Sequence, residues 1–172
     1  GLPITNDLRV LQVKMAGNVV LPGESDVSVI TDVELIFSHS LDRSAFEAAL
    51  SITPAAPFTV SYDNTGSFAT LTFNDPLAYE ETYTLLLPRG TYGANGEAST
   101  EDFTFDFTTA PFEAPGVVLS SDVNQFFESE TVTVTATIDR MILEEVSVDL
   151  VFGGTAEGDG VDYTVSAATI VI

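Results

Sequence analysis

The chain has 172 residues, 45% of them apolar, and a formal net charge of −21 from 26 acidic side chains against five basic ones. The apolar fraction excludes a disordered chain, and the length admits one large domain or two small ones with a sizeable core. Arg9, Lys14, Arg43, Arg89 and Arg140 are too scattered to meet a phosphate backbone, so nucleic acid is a poor partner and anionic membrane surfaces are disfavoured, while the absence of cysteine excludes disulfides, thiolate nucleophiles and Cys-ligated metal centres.

The N-terminus, GLPITNDLRV, has no basic start and no apolar h-region. The expectation is a chain that begins after a removed export signal. No apolar run approaches the length that spans a bilayer, so membrane insertion is not expected. From there the dominant signal is apolar–polar alternation of period two, the mark of a half-buried strand. Val33, Leu35 and Phe37 alternate in this way, as do Phe58, Val60 and Tyr62. Ala69, Leu71 and Phe73 follow, then Tyr83, Leu85 and Leu87, then Phe103, Phe105 and Phe107. LPGES, SYDNTGS, NDP and GANGE separate these runs, and Asn95–Gly96 suits a tight hairpin because both residue types tolerate positive φ. DRSAFEAAL at 42–50 is the one helical candidate, a short crossover capped by Asp42.

APFEAPG at 110–116 has two prolines, a glycine and no periodicity, and reads as a linker. The domains predicted are therefore 1–110 and 117–172, joined by 111–116. Strands resume at Val132, Val134, Ala136 and Ile138, then at Val146, Val148, Leu150 and Phe152. Tyr163 and Val165 form a further candidate, then Ile170 and Ile172. The first 112 residues carry 15 acids and 4 bases, or −11; the last 60 carry 11 acids and 1 base, or −10. Many short strands with almost no helix predict sandwich architecture.

VELIFSHSLDRSAFEAALSIT, SFATLTFNDPLAYEETYTLLL and FTFDFTT together resemble a bacterial immunoglobulin-like domain over about residues 7–109. Leu77 followed by Tyr83 resembles a tyrosine corner, whose hydroxyl bonds back to the backbone. QFFESETVTVTATI, EEVSVDLVF and GTAEGDGVDYTVSAATIVI resemble the beginning of a Calx-beta domain over about 118–172. These resemblances imply two tandem immunoglobulin-like β-sandwich modules, the second incomplete. They also imply an extracellular or cell-surface bacterial protein. Three or four strands leave an open edge and an uncovered apolar face, so self-association or a protein partner is expected at 117–172.

Some Calx-beta domains bind calcium. The resemblance places one ligand at Glu128, but Gly153 and Gly154 stand where the family carries an acid before the GTA turn. Asp159 and Asp162 add carboxylates without a D-x-D-x-D-G loop, and calcium wants six to eight oxygens. The GDGVD stretch therefore reads as a turn with solvated acids, and Glu128, Asp159 and Asp162 remain weak calcium candidates. No other cofactor is implied.

Any Ser–His–Asp arrangement must use His39, the single histidine, which stands at a strand end and reads as a surface loop residue. Neither an HExxH helix nor a phosphate-binding glycine loop occurs. The chain is expected not to be an enzyme. With no Trp, the candidates for a sugar-stacking platform are Tyr92, in PRGTYGANG, and Tyr79 behind it; hairpin packing is the commoner role for such a tyrosine. The expected function is a non-catalytic spacer or adhesion module of a larger bacterial protein. The alternatives are a ligand-binding module for calcium or a glycan, and an accessory domain of a secreted enzyme.

Overall fold

The computed structural model describes residues 6–125, 127, 129–154, 158, 160 and 162–172. The chain divides into two units, Gly1–Phe112 and Glu113–Ile172.

The first unit runs β1 (Val10–Met15), β2 (Asn18–Val20), β3 (Glu24–Val27), β4 (Asp32–Phe37), α1 (Arg43–Ala49), β5 (Ser51–Thr53), β6 (Phe58–Tyr62), β7 (Phe68–Phe73), β8 (Thr82–Leu87), β9 (Gly90–Thr91), β10 (Ala98–Ser99) and β11 (Phe103–Thr109). A five-stranded sheet has the order β2-β1-β4-β7-β6 and a four-stranded sheet the order β3-β11-β8-β5. Pairing is antiparallel except for β3 against β11, which is parallel. The five runs of alternation read from the sequence are the central parts of β4, β6, β7, β8 and β11. Their apolar positions point inward, because successive strand side chains face opposite ways. Val33, Leu35, Ala69 and Leu71 from one sheet and Leu85, Leu87, Phe105 and Phe107 from the other belong to one buried cluster. This is an all-β immunoglobulin-like sandwich. Each large side chain so buried contributes about 1.5–3 kcal/mol.

The helix α1 carries the chain from β4 in one sheet to β5 in the other. Asp42 caps it, its carboxylate accepting from Ala45 N at 3.2 Å. Phe46 is fully buried and meets Phe37 edge-to-face at 5.3 Å between ring centroids. At the opposite end, the Tyr83 hydroxyl accepts from Ala78 N at 3.0 Å, and Tyr83 stacks on Phe107. Thr109 Oγ1 donates to Ala78 O at 2.6 Å, so the corner is held from two strands. The hairpin between β9 and β10 differs from expectation. Only Gly96 takes positive φ, +87°, and Gly96 N donates to Gly93 O. Asn95 keeps negative φ and is fixed through its amide, which donates to the Glu97 carboxylate.

Among the described residues the second unit has four short strands: β12 (Val117–Ser121), β13 (Val134–Ile138), β14 (Ser147–Asp149) and β15 (Thr169–Val171). They form two separate hairpin pairs, β12-β13 and β14-β15. Sequence reasoning missed β12, because VVLSS does not alternate, and Tyr163–Val165 is not a strand. No described residue of 113–172 is buried, whereas every buried hydrophobic residue lies in the first unit.

Candidate functional site

The loop from Gly90 to Ser99 docks on the residues that precede α1. Leu41 and Gly93 form a bridge, Asp42 N donates to Tyr92 O at 2.7 Å, and Ala94 N donates to Ser40 O at 2.8 Å. Tyr92 is 8% exposed and belongs to the core. Its ring lies so close over Gly90 that a Cβ there would sit 2.7 Å from the hydroxyl oxygen. The Tyr92 ring is thus packed inward over Gly90, in the hairpin-packing role, and presents no exposed stacking face. Tyr79 is half-buried and meets Phe112 edge-to-face at 5.3 Å, so one side of that ring is already occupied.

His39 lies beside this loop. Its Nδ1 is 2.9 Å from Ser38 Oγ and its Nε2 is 3.2 Å from Asn6 Oδ1. Ser38 Oγ in turn accepts from Arg9 N at 2.9 Å and donates to Asp7 O at 3.2 Å. Serine and histidine therefore fasten residues 6–9 to the end of β4, and the hydroxyl is committed to backbone groups. The carboxyl of Glu97 is held below the usual carboxylate range by its own backbone N–H and that of Asn95, and the nearby His39 acts in the same direction. Glu97 also crowds Gly93, where a Cβ would collide with the carboxylate. No motif could have marked Glu97 in advance: one glutamate among 26 acids carries no signal until its loop is folded.

A second polar cluster ties α1 to β6. The Tyr62 hydroxyl donates to Glu47 at 2.9 Å, and the Arg43 guanidinium stands 4.7 Å above the Tyr62 ring. Burial, then the bond to Glu47, pushes the Tyr62 hydroxyl well above its ordinary pKa. A phenol so placed is a proton donor in a structural bond.

In the second unit, Glu128 and Asp159 lie outside the described residues, and Asp162 is exposed. Among the described residues, no group of three or more His, Asp or Glu side chains is arranged to hold a metal ion. Phe152 and Tyr163 approach to 5.7 Å and, with Leu150 and Val165, line an open groove. Arg140, the one base of this unit, is engaged by both Glu113 and Asp139. Among the described residues no helix is long and apolar enough to cross a membrane.

A family model described as the bacterial Ig-like domain matches residues 12–109, more than half of the chain. No curated protein matches the sequence. Among solved structures, the N-terminal part of the bacterial S-layer protein SbsC is 21% identical, with a TM-score of 0.43 over 83% of this chain and 35% of that one. An L,D-transpeptidase from Mycobacterium tuberculosis H37Rv is 18% identical, with a TM-score of 0.38 over 78% of this chain and 49% of that one. The chain spans about a third of the first of these and half of the second.

Proposed function

We infer a non-catalytic role from one premise: the chain belongs to the bacterial Ig-like domain family. The reading is a surface-associated module of a larger bacterial protein, a spacer that presents or positions neighbouring domains. Its second unit, in which we read the beginning of a Calx-beta-like fold, serves as the interaction element.

The observation that carries this reading is where the reactive-looking side chains go in the first unit. Tyr92 fills the core, Tyr83 holds a corner, Ser38 and His39 fasten an N-terminal segment, and Glu97 fixes a turn. A catalytic group needs a free hydrogen-bonding position toward substrate. Here these bonds support the scaffold. The charge of −21 fits a module in solvent that stays soluble at high local density.

Antibody raised against the chain and applied to intact and permeabilised cells of the source organism tests the location. Labelling of intact cells is expected. Labelling only after permeabilisation overturns a surface role.

A further inference from the structure

The two hairpins of the second unit each carry apolar side chains that the described residues leave exposed or only half-buried. On the first, Val117 and Leu119 of β12 lie opposite Ile138 and Ala136 of β13. On the second, Val148 of β14 lies opposite Ile170 of β15. Among the described residues each of these four strands pairs with a single other strand, which leaves its outer edge without a partner there. The direction of the β12 edge follows from the bonds that bracket its ladder: Asp139 N donates to Gly116 O, and Asp122 N to Thr133 O. Backbone bonding alternates in an antiparallel pair. Val118 and Ser120 therefore bond inward to β13, and Val117, Leu119 and Ser121 direct their N–H and C=O groups outward. All five residues of β12 are exposed.

Charge selects what this edge can take. Acids stand at both ends of β12, Glu113 before it and Asp122 after it, and Asp139 stands beside its start. The unit has 11 acids against Arg140, which already meets Glu113 and Asp139. A second copy would bring a further −10 to the same place. An extended segment with alternating apolar residues and Lys or Arg at its ends would meet opposite charge at both ends of the strand and apolar side chains between them. We propose that β12 accepts an added β-strand from a basic partner segment, by backbone pairing along Val117, Leu119 and Ser121. This deepens the interaction role proposed for the second unit and rests on it.

The test uses the whole chain and a labelled nine-residue peptide of alternating Val and Thr between lysine pairs, with a glutamate-flanked counterpart as control. Fluorescence anisotropy is expected to detect binding of the basic peptide only, weakening about tenfold or more as sodium chloride rises from about 50 to 500 mM. Leu119→Asp separates a docked strand from charge attraction. It removes an exposed apolar contact and adds a negative charge, so pairing predicts loss of about tenfold in affinity while simple attraction predicts equal or tighter binding. Hydrogen exchange on the wild type should show new protection at the Leu119 amide when peptide is bound. Absence of binding, indifference to Leu119→Asp, or a dimer of the chain that salt strengthens overturns the proposal. None of these results bears on surface location, which the antibody experiment decides separately.

Discussion

Phe105 and Phe107 of β11 are 1% and 0% exposed, whereas Val148 and Ile170, paired across β14 and β15, are only half-buried. Both sets belong to runs that alternate apolar with polar residues. The difference is in what stands opposite. β11 lies between β3 and β8, and its inward side chains belong to one buried cluster with Val33, Leu35, Ala69 and Leu71 of the other sheet. Among the described residues β14 has one neighbour and no second layer buries its apolar face. Alternation tells which face of a strand is apolar. Whether that face is buried depends on a second sheet, and two-stranded ribbons cannot supply one for themselves.

The widest separation between the units is expected from deleting an aromatic side chain in each. Phe107→Ala removes a fully buried ring stacked on Tyr83, and should destabilise the first unit by about 3–5 kcal/mol. Phe127→Ala removes a ring that is 81% exposed, and should change stability by less than about 0.5 kcal/mol. Urea denaturation followed by tyrosine fluorescence measures both. A large loss for Phe127→Ala would mean that the second unit has a core of its own.

The same contrast explains how much was legible in the sequence. The strands that build the first core were readable because Val33, Leu35 and Phe37, or Phe103, Phe105 and Phe107, repeat at period two on strands with one face buried and the other toward solvent. The short helix was readable from Asp42 and the small residues after it. β12 was not, since VVLSS lies in solvent and no burial constrains its order. Tyr92 shows the limit for single residues. PRGTYGANG reads as a surface loop, and it is the pairing of Leu41 with Gly93, 52 positions apart by their numbers, that turns the ring inward. Glu97 was equally hidden, because its partners are the amides of its own turn.

Two polar bonds of the first unit sharpen the contrast at the next level. Tyr83→Phe keeps the ring and removes the acceptor for Ala78 N, and should cost about 1 kcal/mol. Asp42→Ala removes the cap of α1 and should cost about 1 kcal/mol as well. In the second unit, Thr169→Val deletes a comparable bond, from Thr169 Oγ1 to Asp149 at 2.8 Å, on an exposed surface. Its effect should be within about 0.5 kcal/mol. Thermal melting of the three variants ranks them, and equal losses at Tyr83 and Thr169 would contradict the difference in burial.

Acid should act on the first unit through specific carboxylates. Asp63 is held below its ordinary value of 3.8 chiefly by the Thr65 hydroxyl, and Glu97 below 4.5 by the amides of its turn. A carboxylate whose pKa is lower in the folded than in the unfolded state adds stability at pH above its unfolded value. That contribution is lost as pH falls through the folded value. The melting temperature of the first unit should therefore fall as the pH drops below these ordinary values, and Asp63→Asn should flatten the fall. An unchanged slope in Asp63→Asn would show that general charge, not this turn, governs acid stability.

Calcium should have the smallest effect of all. Asp162 is exposed, and the described residues of the second unit bring no three acids together. Carboxylates that merely face solvent attract calcium as part of an ionic atmosphere, and sodium at matched ionic strength does nearly the same. A true site is different in kind. At a hundredfold excess over its dissociation constant, calcium stabilises the domain that holds it by about 2.7 kcal/mol, a rise of about 10–20 °C for a unit of this size. Melting in millimolar calcium, compared with EDTA and with sodium at equal ionic strength, should differ by less than about 1 °C. A rise of the larger size, abolished together in Glu128→Gln, Asp159→Asn and Asp162→Asn, would give the second unit the organising centre that its exposed hairpins lack.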